Sequence, residues 1–129
     1  MANQFVVQLK NDPGAMATLA EALAARGVDL RAIGGGGIGD TGHVIMTTAD
    51  DETTKEVLDH GGYVYVEGES ILAEVDDRPG GMARLSRALA DAGVNIYGHL
   101  FLGRWGDRAM FAFVVDRPDV ARPILERKG

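Results

Sequence analysis

The chain has 129 residues, 46% apolar and 25% charged, so it is long enough for one or two small globular units and is not disordered or fibrous. Nineteen acidic and thirteen basic side chains give a formal charge of −6, which argues against nucleic acid as a partner because phosphates require Lys and Arg. The absence of cysteine excludes disulfides, thiolate metal sites and cysteine nucleophiles.

The N-terminal sequence has no basic segment followed by a long apolar stretch. No window of the chain reaches the roughly 20 apolar residues that a membrane span requires. We therefore expect a soluble, cytoplasmic protein that has no membrane partner.

The first 68 residues predict the element order β-α-β-β-α-β. Residues 5–9 alternate with the period of a strand. Pro13 suits the first position of the following helix, Asp12 its cap and Gly27 its end. The later elements are strands at 28–33 and 43–48, a helix at 50–60 and a strand at 63–66.

Residues 34–42 are rich in glycine and contain the pattern G-x-G-x-x-G twice. A dinucleotide-binding fingerprint requires a strand before the glycines and a helix after them. Here a predicted strand follows, so we interpret the segment as a mobile turn between the second and third strands.

The second half of the chain repeats the first at an offset of 66 residues. Residues 13–30 and 79–96 are identical at ten of eighteen positions, which predicts two domains, 1–68 and 69–129. The second copy predicts strands at 71–75, 94–102 and 109–115, and helices at 79–93 and 118–127.

Three features distinguish the second copy. Arg78 stands at the position of the capping Asp12, and we expect Asp77 to take over that cap. Pro123 should shorten or kink the last helix. The fourth strand is missing from this sequence, which would leave the edge of the first strand unpaired. The predicted fold class is α+β, with two ferredoxin-like βαββαβ units.

Several predicted strands are apolar on both faces, including residues 44–46, 63–66 and 110–115. A sheet with one face in water should alternate instead. Together with the unpaired edge, this pattern favours a homo-oligomer, most simply a dimer.

The repeated segments resemble tandem ACT domains, the small regulatory modules of amino-acid metabolism. The resemblance lies in Asn-Asp-Pro-Gly-Ala-Met (11–16) with Gly-Val-Asp-Leu (27–30), and in Asp-Arg-Pro-Gly-Gly-Met (77–82) with Gly-Val-Asn-Ile (93–96). It implies that a free amino acid, or a related small molecule, binds between two ACT units. The loop after the first strand of one unit and the second strand of its neighbour would hold the ligand.

The residue chemistry agrees with such a ligand, because backbone N–H groups at the start of a helix attract a carboxylate. The resemblance to serine-sensing ACT domains implies that Asn11 contacts the ligand. Asp77, its counterpart, could hold the ligand ammonium, and the alternative is that Asn11, Asp12 and Asp77 only cap helices. The predicted ligand-binding residues are Asn11, Asp12, Gly14, Ala15, Met16, Asp77, Gly80, Gly81, Met82, Asn95 and Tyr97.

The sequence gives little support to catalysis, to a metal site or to a cofactor. Its three histidines are not spaced as metal ligands. No nucleophile stands beside a base, and only Arg78 could serve acyl phosphate hydrolysis. We therefore predict a regulatory protein that is not an enzyme and that acts on a regulated enzyme in trans. The alternatives are an interaction module without a ligand and a small enzyme.

Overall fold

A computed structural model describes residues 3–126 of the chain. The chain divides into two compact units between Gly68 and Glu69. The first unit contains β1 (Asn3–Lys10), α1 (Ala15–Ala25), β2 (Leu30–Ile38), β3 (Thr41–Thr48), α2 (Asp51–His60) and β4 (Tyr65–Glu69). The second contains β5 (Ile71–Asp76), α3 (Gly81–Asp91), β6 (Ile96–Trp105), β7 (Arg108–Val115) and α4 (Pro118–Leu125). The predicted end of the last helix, at residue 127, lies outside the described residues.

The first unit is built on a four-stranded sheet with the order β2-β3-β1-β4. Strand β3 pairs antiparallel with β1 on one side and with β2 on the other. Two helices pack on one face, as the β-α-β-β-α-β order predicts. The core consists of Phe5, Val7, Leu19, Leu23, Val28, Val44, Met46, Val57 and Leu58.

The second unit is built on a three-stranded sheet with the order β5-β7-β6, all antiparallel. Its core consists of Ile71, Ala73, Leu89, Val94, Phe113, Val115, Ala121 and Leu125. Helix α4 spans eight residues, contains Pro123 and begins at Pro118, where a missing backbone N–H costs nothing. The α+β fold class with two ferredoxin-like units is confirmed, and the described part of the second unit has three strands.

The predicted start of the first helix is wrong. Helix α1 begins at Ala15, and Gly14 precedes it in the left-handed conformation, with φ of 88°. Because the chain reverses at Gly14, Asp12 and Pro13 lie in a turn before the helix, and no side chain caps it. Helix α3 repeats this start with Gly80 at φ of 92°, so Asp77 is not its cap either.

The glycine-rich segment is also different from the prediction of a mobile turn. Strand β2 continues through the glycines to Ile38, in register with β3 from Gly34 opposite Ile45 to Ile38 opposite Thr41. The turn that joins the two strands is reduced to Gly39 and Asp40. Glycine runs permit an extended strand, and pairing with β3 supplies the order that local propensity does not.

Helix α2 begins with a network of short polar side chains. Asp50 caps it by accepting hydrogen bonds from the backbone N–H and the hydroxyl of Thr53, which lower the pKa of the Asp50 carboxyl. The buried Thr54 hydroxyl donates to the Asp50 carbonyl and lies 2.8 Å from the Thr48 hydroxyl. The network joins the end of β3 to the start of α2.

We expect Thr54→Val to lower the free energy of unfolding by about 1 to 3 kcal/mol, because the buried Thr48 hydroxyl then loses a partner. Urea unfolding, followed by circular dichroism, measures the change. Thr47→Val, on the opposite and half-exposed side of β3, is the control and should change stability by less than about 0.5 kcal/mol. Equal losses in the two variants would contradict a role for the buried pair.

Candidate functional site

Two segments of the first unit meet at one end of its sheet. Strands β1 and β2 flank the start of β3, where Thr41 lies opposite both Lys10 and Ile38. The loop from β1 to α1 leaves the sheet at this end, next to the glycine-rich half of β2. The fold therefore brings the predicted ligand-binding loop beside the glycine-rich part of β2, for which the sequence predicts a turn.

A cavity of about 330 Å³ lies between this loop, the start of α1 and the sheet. Its lining residues are Leu9, Lys10, Asn11, Asp12, Ala15, Met16, Ile33, Gly34, Gly35, Gly36, Gly42, His43 and Val44. The cavity thus gathers four of the predicted ligand-binding residues, which are Asn11, Asp12, Ala15 and Met16.

Asn11 connects the β1–α1 loop to the β2–β3 turn through hydrogen bonds. Its side-chain Nδ2 donates to the carbonyl oxygen of Gly39 at 2.9 Å, and its backbone N–H donates to the carbonyl oxygen of Asp40 at 3.0 Å. The side-chain N–H₂ and the backbone N–H of Asn11 are thus both engaged within the protein. Asn11 holds one rim of the cavity in place.

The glycines of β2 make this arrangement possible. A Cβ atom at Gly37 would lie 2.5 Å from the Asn11 Oδ1, and one at Gly35 would lie 2.5 Å from the carbonyl oxygen of His43. A Cβ atom at Gly36 would meet nothing within 4 Å. Glycine is therefore required at 35, where a Cβ atom would meet backbone atoms. A Cβ atom at 37 would push aside the Asn11 side chain, whereas position 36 has room for a side chain.

The cavity wall is mainly apolar. Val44 is buried, Leu9 and Met16 are half-buried, and Ile33 leaves 48% of its surface exposed although it is a large aliphatic residue. Lys10 and His43 each neighbour an inward-facing residue of their strand, so their side chains lie on the opposite face of the sheet. Asp12, in the loop, is the ionisable side chain that remains on the cavity side.

The start of α1 adds the positive end of a helix dipole to this cavity. The sequence predicts that backbone N–H groups at this helix start are available to a carboxylate, and the structure differs in one respect. The N–H of Ala15 donates to the carbonyl oxygen of Asp12 at 3.2 Å, and the N–H of Gly81 likewise donates to that of Arg78 at 3.1 Å in the second unit. These two groups are engaged in the turn.

In the second unit, the corresponding loop is bound by ion pairs. Asp77, the counterpart of Asn11, accepts a hydrogen bond from Nε of Arg104 at 2.7 Å. Asp76 pairs with Arg108, Arg78 and Arg84, the last two at 3.3 and 3.6 Å. The Asp77 carboxylate is thus already neutralised by a neighbouring guanidinium.

Aromatic and cationic side chains fill the neighbouring part of β6. The Arg104 guanidinium lies 4.8 Å from the centroid of the Phe101 ring. Gly37 lies across β3 from Leu9, and Arg104 lies likewise across β7 from Val75, the counterpart of Leu9. Arg104 therefore stands where the first unit has Gly37. The second unit thus has a long cationic side chain at the position where the first unit has no side chain.

The remaining predicted residues of the second unit fall in two groups. Asp77, Gly80, Gly81 and Met82 belong to the β5–α3 loop and the start of α3. Asn95 immediately precedes β6, and Tyr97 lies near its start, about 23 Å at 3.3 Å per residue from Arg104, the partner of Asp77. A cavity of about 240 Å³ in this unit contains Gly81 but not Asp77, Gly80 or Met82. It lies between α3, β5 and Ile124.

Sequence reasoning missed the wall that β2 and β3 contribute, namely Ile33, Gly34, Gly35, His43 and Val44. A signal was present, since a glycine run inside a strand often marks close approach of a ligand or of another backbone. It was assigned to a turn because four consecutive glycines lack the alternation of a strand.

Within residues 3–126, no group of three or more His, Cys, Asp or Glu side chains is placed to hold a metal ion. None of the helices in that range is both long and apolar enough to cross a membrane.

No protein-family model matches the sequence, and no curated protein matches it. Solved structures do match over nearly the whole chain. A protein from Bacteroides thetaiotaomicron is 19% identical, covers 97% of this chain and 86% of its own, and gives a TM-score of 0.70. The regulatory subunit of aspartate kinase from Thermus flavus is 17% identical, with coverages of 97% and 91% and a TM-score of 0.66.

The ligand-free regulatory subunit of aspartate kinase from Thermus thermophilus is 19% identical, with coverages of 96% and 89% and a TM-score of 0.58. These likenesses extend through both units and agree with the repeat in the sequence. The chain has the tandem ACT-domain fold of these regulatory subunits.

Proposed function

We propose that this chain is a regulatory protein that binds a free amino acid in the cavity of its first unit. The observation that carries the proposal is that cavity itself, in which the β1–α1 loop faces the glycine-rich strand β2. The regulatory subunits of aspartate kinase that share the fold support a regulatory role.

The cavity offers partners for both ends of an amino acid. The positive end of α1, next to Gly14 and Met16, favours the carboxylate. Asp12 provides a carboxylate for the ammonium group. Gly14 does not line the cavity, but its φ of 88°, which other residues adopt only with strain, sets the turn that places Asp12 and Ala15 there.

The second unit differs in the same place, and we propose one ligand per chain. Arg104 already pairs with Asp77, so a ligand ammonium would have to displace a guanidinium at 2.7 Å. Three further points remain predictions. They are that the ligand lies at a contact between two ACT units, that the chain forms a homo-dimer, and that it regulates an enzyme in trans. Regulation would follow if the ligand binds one arrangement of such an assembly more tightly than another.

A thermal-shift screen against the twenty amino acids at millimolar concentration tests the proposal. A ligand at one hundred times its Kd stabilises the folded state by about 2.7 kcal/mol, which raises Tm by several degrees. Isothermal titration should then give one ligand per chain. A folded protein, free of carried-over ligand, that responds to no amino acid would contradict the proposal.

A pair of variants locates the site. Met16→Ala and Met82→Ala remove equivalent half-buried side chains that pack on the two cores, so both should lower Tm similarly. Met16 lines the cavity of the first unit, whereas Met82 lies outside the 240 Å³ cavity of the second. Only Met16→Ala should weaken ligand binding. Equal weakening by both would place the site elsewhere.

One observation favours a second candidate function, that of an interaction module without a ligand. Strand β6 is an edge strand and exposes Tyr97, Phe101, Leu102 and Trp105 by 39% to 61%. Exposed apolar clusters often mark protein contacts. Two results would together favour this alternative over the amino-acid sensor. They are the absence of a Tm shift with any amino acid, and a stable complex with another protein that Phe101→Asp disrupts.

A further inference from the structure

The cavity of the first unit also indicates which class of amino acid it takes. We infer that the effector has an aliphatic side chain, as in valine, leucine, isoleucine or methionine. This inference rests on the proposed function and adds the chemistry of the ligand side chain.

The first argument is the character of the wall. Leu9, Ile33 and Val44 supply aliphatic surface from three strands of the sheet. Met16 supplies it from α1. The lining contains no Phe, Tyr or Trp side chain that would stack on an aromatic ligand. Such a wall gains most from contact with methyl and methylene groups.

The second argument is the exposure of Ile33. This side chain lines a cavity and is 48% exposed, so part of its apolar surface is accessible to solvent. Ile38, on the same strand, is 89% exposed but does not line the cavity. A ligand that covers Ile33 with aliphatic groups removes apolar surface from water on both sides of the contact.

The third argument is charge. Asp12 and the positive end of α1 are the charged features on the cavity side of the sheet, and the ammonium and carboxylate groups of any amino acid use both. A ligand with a charged side chain would therefore bury a third charge against Ile33 and Val44 with no partner, which is costly. Lysine, arginine, aspartate and glutamate are disfavoured.

The fourth argument is size. A cavity of about 330 Å³ lies at the small end of the roughly 300 to 1,000 Å³ that ligand sites occupy, so an amino acid such as leucine, isoleucine or methionine fits within it.

The test combines the amino-acid screen with two matched variants, Ile33→Thr and Ile38→Thr. Both replace a β-branched residue on β2 with another, so strand propensity changes little. In the unmodified protein, an aliphatic amino acid should give the largest Tm shift. Ile33→Thr should raise the Kd for that amino acid about tenfold or more, since a methylene in an apolar pocket contributes a factor of about 10 to 200.

Ile38→Thr should leave the same Kd unchanged within about twofold, and circular dichroism confirms that both variants are folded. Tightest binding of a charged, aromatic or small polar amino acid would overturn the inference but leave the proposed function standing. Unchanged affinity in Ile33→Thr would also overturn it. Binding of no amino acid at all would overturn both.

Discussion

Replacing Phe5 with alanine is expected to lower the free energy of unfolding by about 3 to 5 kcal/mol, the largest effect of any variant considered. Phe5 is fully buried at the centre of the first unit, and its ring centroid lies 6.1 Å from that of Tyr65. Truncation leaves a cavity between β1 and the helices that the short strands cannot close. Urea unfolding of the purified variant measures the loss.

Val64→Ala is the control for Phe5→Ala. Val64 lies just before β4 and is 68% exposed, so truncation should cost less than about 1 kcal/mol. Comparable losses in the two variants would mean that the first unit does not depend on its buried aromatic residue. Because small domains are only marginally stable, Phe5→Ala should also remove any ligand response of the first unit.

Gly37→Ala is expected to weaken ligand binding at least about tenfold, a loss of about 1.4 kcal/mol in affinity. It should also lower the free energy of unfolding by about 0.5 to 1.5 kcal/mol through loss of the Asn11 hydrogen bond. A methyl group at this position would lie 2.5 Å from the Asn11 Oδ1, so it must displace Asn11 from the Gly39 carbonyl. Calorimetric titration and thermal unfolding measure the two effects.

Gly36→Ala provides the matched control one residue away. Its methyl group meets nothing within 4 Å, so the variant should keep its affinity and stability or gain up to about 1 kcal/mol from a less flexible unfolded chain. Normal affinity in Gly37→Ala would show that the link between Asn11 and the β2–β3 turn is not needed for binding.

Much of the fold could be predicted from the sequence because its signals are local or repeated. The alternation of apolar residues predicts the first strand, and their three- and four-residue spacing predicts the helices. The match of residues 13–30 with 79–96 predicts the two units. The exact start of α1 could not be predicted. It depends on Gly14 at φ of 88°, and glycine permits that conformation without requiring it.

The site could be predicted only in part. The resemblance to ACT domains pointed to the loop of Asn11 and Asp12, and the structure places that loop at a cavity. The opposite wall was missed because the order of Gly34–Gly37 comes from pairing with β3 rather than from propensity. The ion pair of Asp77 with Arg104 in the second unit was missed because the two residues lie 27 positions apart in the sequence.

Both units contain the same backbone hydrogen bond. The Asn11 N–H donates to the Asp40 carbonyl at 3.0 Å, and the Asp77 N–H donates to the Asp107 carbonyl at 2.8 Å. Because only main-chain groups take part, this hydrogen bond does not constrain which side chains accompany it. The same hydrogen bond is therefore compatible with an arginine–aspartate pair in one unit and a neutral amide in the other. Side-chain substitutions can alter the chemistry of one unit without loss of the shared architecture.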